Sequence, residues 1–126
     1  MAVTRMNHAV LYVRDADASA AFYRDVLGMK LKFESPEWTE FDTGKTTLAL
    51  HGGGKPGAPA AGHGPPAAGT ASLGLGTLDL EAEVTRLKGL GVRFVMEPQE
   101  RPGEGIKLAV CLDPDGLGIS LSQRLG

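Results

Sequence analysis

The sequence predicts an α+β protein built from two copies of one βαβββ unit, on three observations. Residues 52–70 are so dense in Gly and Pro that neither a helix nor an inner strand fits there, and they divide the chain into two parts of nearly equal size. Strand-, helix- and turn-like stretches then follow one another in the same order on either side. The punctuation also matches: without gaps His8 falls on Ser72 and Asp15 on Asp79, Gly28 and Gly91 stop equivalent helices, and Gly44 and Gly116 open equivalent last strands. Each unit alone is too small to close a core, so the two must pair. Residues 1–51 are read as the first module, 52–70 as a linker and 71–126 as the second module, one structural unit overall.

The first strand is expected over residues 6–13, with Ala9, Leu11 and Val13 on one face and His8, Val10 and Tyr12 on the other. Asp15 or Asp17 caps a helix over 18–27, in which Phe22 and Val26 lie one turn apart, and Gly28 supplies the left-handed stop. Short strands follow over 30–34, 38–42 and 46–50, joined by turns at 35–37 and 42–44. In the second half a strand over 71–77 puts Leu73 and Leu75 on one face. Asp79 caps a helix over 80–90, with Val84 and Leu87 as its buried stripe and Gly91 as its stop. Strands over 92–96 and 107–112 flank a loop at 98–105, and the turn Asp113-Pro114-Asp115-Gly116 leads into a last strand over 117–122.

The composition narrows function by exclusion. A formal net charge of −2 gives no electrostatic case for nucleic acid, and no apolar stretch is long enough to span a membrane. The first residues carry no apolar signal region, and Cys111, the single cysteine, rules out an intrachain disulfide; a cytoplasmic setting follows as the expectation. In its strand-like apolar run Cys111 reads as core. Gly52-Gly53-Gly54-Lys55 has only the composition of a phosphate loop, without the Gly-Lys-Ser/Thr spacing or the helix that such a loop opens. Gly103-Glu104-Gly105 reads as a hairpin tip, and the charged helix faces as solvated surface.

Three stretches carry a family resemblance: His8-Ala9-Val10-Leu11-Tyr12-Val13-Arg14-Asp15, Phe22-Tyr23-Arg24-Asp25-Val26-Leu27-Gly28-Met29, and Leu112-Asp113-Pro114-Asp115-Gly116. In this order within a doubled βαβββ they resemble the vicinal-oxygen-chelate superfamily of glyoxalase I, extradiol dioxygenases and bleomycin-resistance proteins. The resemblance covers the chain apart from the Gly/Pro segment. It implies mixed sheets forming a cupped half-barrel, and a homodimer with binding sites at the interface. It does not fix the activity, because one scaffold hosts many chemistries.

Members with metal enzymology carry ligands on the first and last strands of each unit, and by resemblance those positions here are His8, Leu48, Ser72 and Ser120. One imidazole, two hydroxyls and a leucine are a poor set for a metal that wants three or four N or O donors. His8 is the one plausible metal ligand and the candidate catalytic residue. His51 alternates to the face opposite Leu48 and Leu50, and His63 lies in the linker. No cofactor is predicted, with a divalent metal kept as the alternative. The interior face of the first unit is expected to hold His8, Val10, Tyr12, Leu48 and Leu50, with Phe33 and Trp38 as wall residues. That of the second holds Ser72, Gly74 and Gly76 beside Gly118, Ser120 and Ser122, small side chains that leave room for a ligand. The candidate ligand-binding residues are therefore His8, Tyr12, Phe33, Trp38, Leu48, Leu50, Ser72, Gly74 and Ser120, an apolar wall with a few hydroxyls that suits a flat or partly aromatic small molecule. The expected function is a metal-free small-molecule binding protein, for an antibiotic or an aromatic metabolite, resembling bleomycin-resistance proteins. A glyoxalase- or dioxygenase-like enzyme working through His8 with an incomplete or unusual metal site is the alternative.

Overall fold

The computed structural model describes residues 6–54 and 71–125, which fall into two compact units, one on each side of the Gly/Pro segment. Of the linker expected over 52–70, residues 55–70, His63 among them, lie outside the described residues. The first unit runs β1 (His8–Tyr12), α1 (Ala16–Ala21, continued by a π-helical turn over Phe22–Val26), β2 (Lys30–Glu34), β3 (Trp38–Asp42) and β4 (Thr47–His51). The second runs β5 (Leu73–Gly76), α2 (Leu80–Gly89), β6 (Phe94–Arg101), β7 (Ile106–Leu112) and β8 (Gly118–Arg124). Each unit is thus βαβββ, as the sequence predicts.

Both sheets are four-stranded, open and mixed, with the orders β1-β4-β3-β2 and β5-β8-β7-β6. The first strand of each unit pairs parallel with the last, and the other pairs are antiparallel. A parallel pair needs a long crossover between its strands, and the helix plus two strands of each unit supply it. The helices start on aspartates whose side chains accept the first free amides: Asp15 Oδ1 from Ala18 N and Asp79 Oδ1 from Ala82 N, both at 3.1 Å. Asp15 rather than Asp17 is the cap, so α1 begins at Ala16, two residues before the expected start.

Each helix covers one face of its own sheet. In the first unit Ala20 of α1 and Tyr23 of its π-helical turn are buried with Phe41, Leu48 and Leu50 of the sheet; in the second Leu80, Val84 and Leu87 of α2 are buried with Ala109, Cys111, Ile119 and Leu121 of the sheet. Most strand boundaries shift by one or two residues from expectation, and the end of β6 moves furthest, from 96 to 101. β6 runs on to Arg101 through Pro98, where a loop was expected from 98. Pro is tolerated there because β6 is an edge strand and its pairing with β7 is irregular between Met96 and Gln99. β8 ends at Arg124 rather than at 122. Gly52 and Gly54 are packed tightly against the first unit: Gly54 N donates to Val13 O at 2.9 Å, and a Cβ on Gly54 would sit 3.1–3.2 Å from the backbone of Tyr12 and Val13. Gly54 thereby extends the pairing of β1 with the chain leaving β4, and Gly52 N donates to Glu37 O at 3.0 Å. Among the described residues no helix is long and apolar enough to cross a membrane.

Candidate functional site

The faces that the helices leave uncovered follow from register, since paired residues share a face and neighbours along a strand alternate. In the first unit three rows cross this open face: Tyr12, His51 and Trp38; Val10, Ala49, Glu40 and Phe33; His8, Thr47, Asp42 and Lys30. β2 bulges between Leu31 and Phe33, which sets two consecutive residues, Lys32 and Phe33, against Glu40. Leu48 pairs with Ala9 and Phe41, and Leu50 with Leu11 and Thr39, so both face α1 and are only 3% and 0% exposed. The expectation that Leu48 and Leu50 share a face with His8 is therefore corrected. A strand's side chains alternate with period two, so a one-residue error in register moves the whole set to the other face.

What the open face gathers instead is a row of rings around one carboxylate. Tyr12 and His51 stack at a tilt with centroids 5.2 Å apart, and Trp38 stands edge-on to both His51 and His8 at 6.1 Å. Tyr12 is 71% and Phe33 53% exposed, unusual for large aromatics on a folded sheet. Trp38 Nε1 donates to Glu40 Oε2 at 2.8 Å, and His8 Nε2 stands 3.8 Å from the same oxygen. Lys32 Nζ lies 4.0 Å from Glu40 Oε1 while donating to Thr47 Oγ1 at 3.1 Å. His51 Nδ1 is 2.7 Å from the Gly52 carbonyl, which can only accept, so Nδ1 carries the proton and a neutral ring keeps Nε2 as an acceptor. Of the sequence candidates, His8, Tyr12, Phe33 and Trp38 come together on this face. Glu40 and Lys32 join them without having been singled out, and His51 joins them on the face opposite Leu48 and Leu50, where alternation sets it. The signal for Glu40 was available: Phe41 next to it needs the helix side, which turns Glu40 outward.

The open face of the second unit carries the rows Gly74, Ser120, Val110, Met96 and Gly76, Ser122, Leu108, Gln99. The small residues of β5 and β8 thus lie beside branched apolar ones on β7. Ser120 Oγ is 3.4 Å from the Leu73 carbonyl, and a Cβ added at Gly74 would meet Ser120 Oγ at 3.3 Å, whereas at Gly76 it would meet nothing. Ser72 precedes β5 and is exposed.

The chemistry of the donors tests whether they suit a metal. The repeat that lays His8 on Ser72 lays Val10 on Gly74; Val10 pairs with Ala49 as Gly74 pairs with Ser120. The first unit's counterpart of Ser120 is thus Ala49, not Leu48, and a methyl group donates nothing. The set His8, Ala49, Ser72 and Ser120 contains one strong ligand and does not fit a divalent metal. His51 does not complete it: it pairs with Tyr12, four residues along β1 from His8. Among the described residues no three or more His, Cys, Asp or Glu side chains are grouped to hold a metal.

Fold and sequence point to the same class. Residues 5–121 match the profile of the Glyoxalase/Bleomycin resistance protein/Dioxygenase superfamily, and the chain belongs to that superfamily. It is 30% identical to the uncharacterised protein YwbC of Bacillus subtilis (strain 168), over 95% of this chain and 98% of that protein. Among solved structures it is similar to SMU.1112c (TM-score 0.82, 26% identity, 96% of this chain and 99% of the other). It is also similar to TnmS3, an antibiotic binding protein from Streptomyces sp. CB03234 (TM-score 0.75, 26% identity, 98% of each chain).

Proposed function

We propose that this protein binds a flat, partly aromatic small molecule, an antibiotic or an aromatic metabolite, without a metal. The observation that carries this reading is the group of rings Tyr12, His51, Trp38 and His8, which the first sheet holds against one another on the face its helix leaves open. Exposed aromatic surface favours stacking with a flat ligand, and the polar tips of these rings can orient it. TnmS3, an antibiotic binding protein, has a similar fold and sequence and supports the same reading. The family resemblance favours a homodimer, and the single cysteine suits a reducing cytoplasm.

The enzymatic alternative rests on one contact, the 3.8 Å approach of His8 Nε2 to Glu40, a carboxylate that could orient an imidazole for proton transfer. Calorimetric titration of tag-free protein with Ni, Zn, Mn and Fe separates the two. The binding reading expects no tight stoichiometric uptake. Uptake that disappears in His8→Ala would remove the metal-free reading and favour the enzyme.

A further inference from the structure

We infer that Glu40 selects the charge of the ligand, so that the open face of the first sheet takes a planar aromatic cation bearing N–H groups. This rests on the binding reading above and adds to it a chemical class and the residue that determines it. Glu40 sits mid-strand on β3, its side chain 20% exposed, where a carboxylate has lost much of its water. A carboxylate offers about four lone-pair sites, and one poorly supplied with donors in such a place is costly. Among the described residues a single donor, Trp38 Nε1, reaches it within hydrogen-bond distance. The two nearby basic groups, His8 Nε2 at 3.8 Å and Lys32 Nζ at 4.0 Å, both stand off, and the lysine spends its bond on Thr47 Oγ1.

A ligand N⁺–H would give Glu40 the short, charge-assisted hydrogen bond that its own neighbours do not. The same ligand's rings would lie on Trp38 and Tyr12, whose faces attract a cation. A neutral ring system would cover the carboxylate without supplying a full charge, and an anion would set like charge beside it, so affinity falls in the order cation, neutral, anion. Lys32 competes with the cation for Glu40. Lys30 and Asp42, at the end of the strand, are 4.0 Å apart and balance each other.

Three tricycles of one size test this on the full chain: proflavine as the cation, 2-aminoanthracene as the neutral form and anthracene-2-carboxylate as the anion. Trp38 is the one tryptophan, so its fluorescence reports occupancy of this face. Proflavine is expected to bind roughly tenfold more tightly than the carboxylate, the worth of one charge-assisted bond. Glu40→Gln should erase the preference while leaving the thermal unfolding midpoint near wild type, and Lys32→Gln should tighten proflavine binding. Equal affinities for the three tricycles, or a preference that survives in Glu40→Gln, would overturn the role of Glu40 and leave the binding reading standing. Failure of all three to bind would overturn the binding reading as well.

Discussion

Cys111 pairs with Ile119 on the helix side of the second sheet, is fully buried there, and has its thiol pushed up to about 11, chiefly by that burial. A thiol held above its ordinary value of 9.0 favours the folded state while it stays protonated. Its contribution is therefore complete below pH 9.0 and is lost as the pH climbs toward about 11, because the unfolded chain ionises first. Native protein at pH 8 should not react with a disulfide reagent until denaturant unfolds it, and Cys111→Ala should flatten the fall in stability between those pH values. Rapid labelling of the native state would show that the side chain is not where the register puts it. The core reading of Cys111 was legible because a small apolar thiol in a strand-like run has one common fate. The side of the sheet taken by Leu48 was not, since alternation fixes relative faces within a strand and leaves their absolute assignment to the partner strands. In the run Thr47-Leu48-Ala49-Leu50-His51 the two leucines fill the space under α1, and the smaller or polar residues accompany His8.

Elements were legible where their determinants are local. The two helix starts follow from an aspartate three residues ahead of the amide it accepts, a relation contained in four consecutive residues. Asp79→Ala should lower unfolding stability by about 1 kcal/mol, seen as a lower denaturant midpoint at unchanged slope. An unchanged midpoint would mean that the cap contributes nothing to α2. The turn before β8 is local in the same way: Asp113 Oδ1 accepts from Asp115 N at 2.9 Å and Leu117 N at 2.8 Å, and Gly116 turns with φ of 82°. Features set by a partner strand were not legible. The bulge that brings Lys32 over Glu40, and the passage of β6 through Pro98, depend on the strand beside them and on which strand is at the edge. Because the candidate site is built across strands, Glu40 and Lys32 entered it only with the register.

Across the whole molecule the two units repeat one architecture with different chemistry on their open faces. Where the first unit has Val10, Ala49 and Glu40 in a row, the second has Gly74, Ser120 and Val110, so the repeat preserves the backbone and not the functional groups. The superfamily scaffold is shared by proteins of many activities, and the side chains on these faces decide among them. Here they supply aromatic surface and one carboxylate in the first unit, small and branched apolar residues in the second, and one strong ligand among His8, Ala49, Ser72 and Ser120. Binding without a metal is the central claim. The measurement that meets it most directly is a titration of Trp38 fluorescence with a planar tricyclic aromatic such as proflavine, run in excess EDTA and again with added Zn or Ni. The account predicts saturable quenching with the same affinity in both. Quenching that appears only once a metal is present would contradict it.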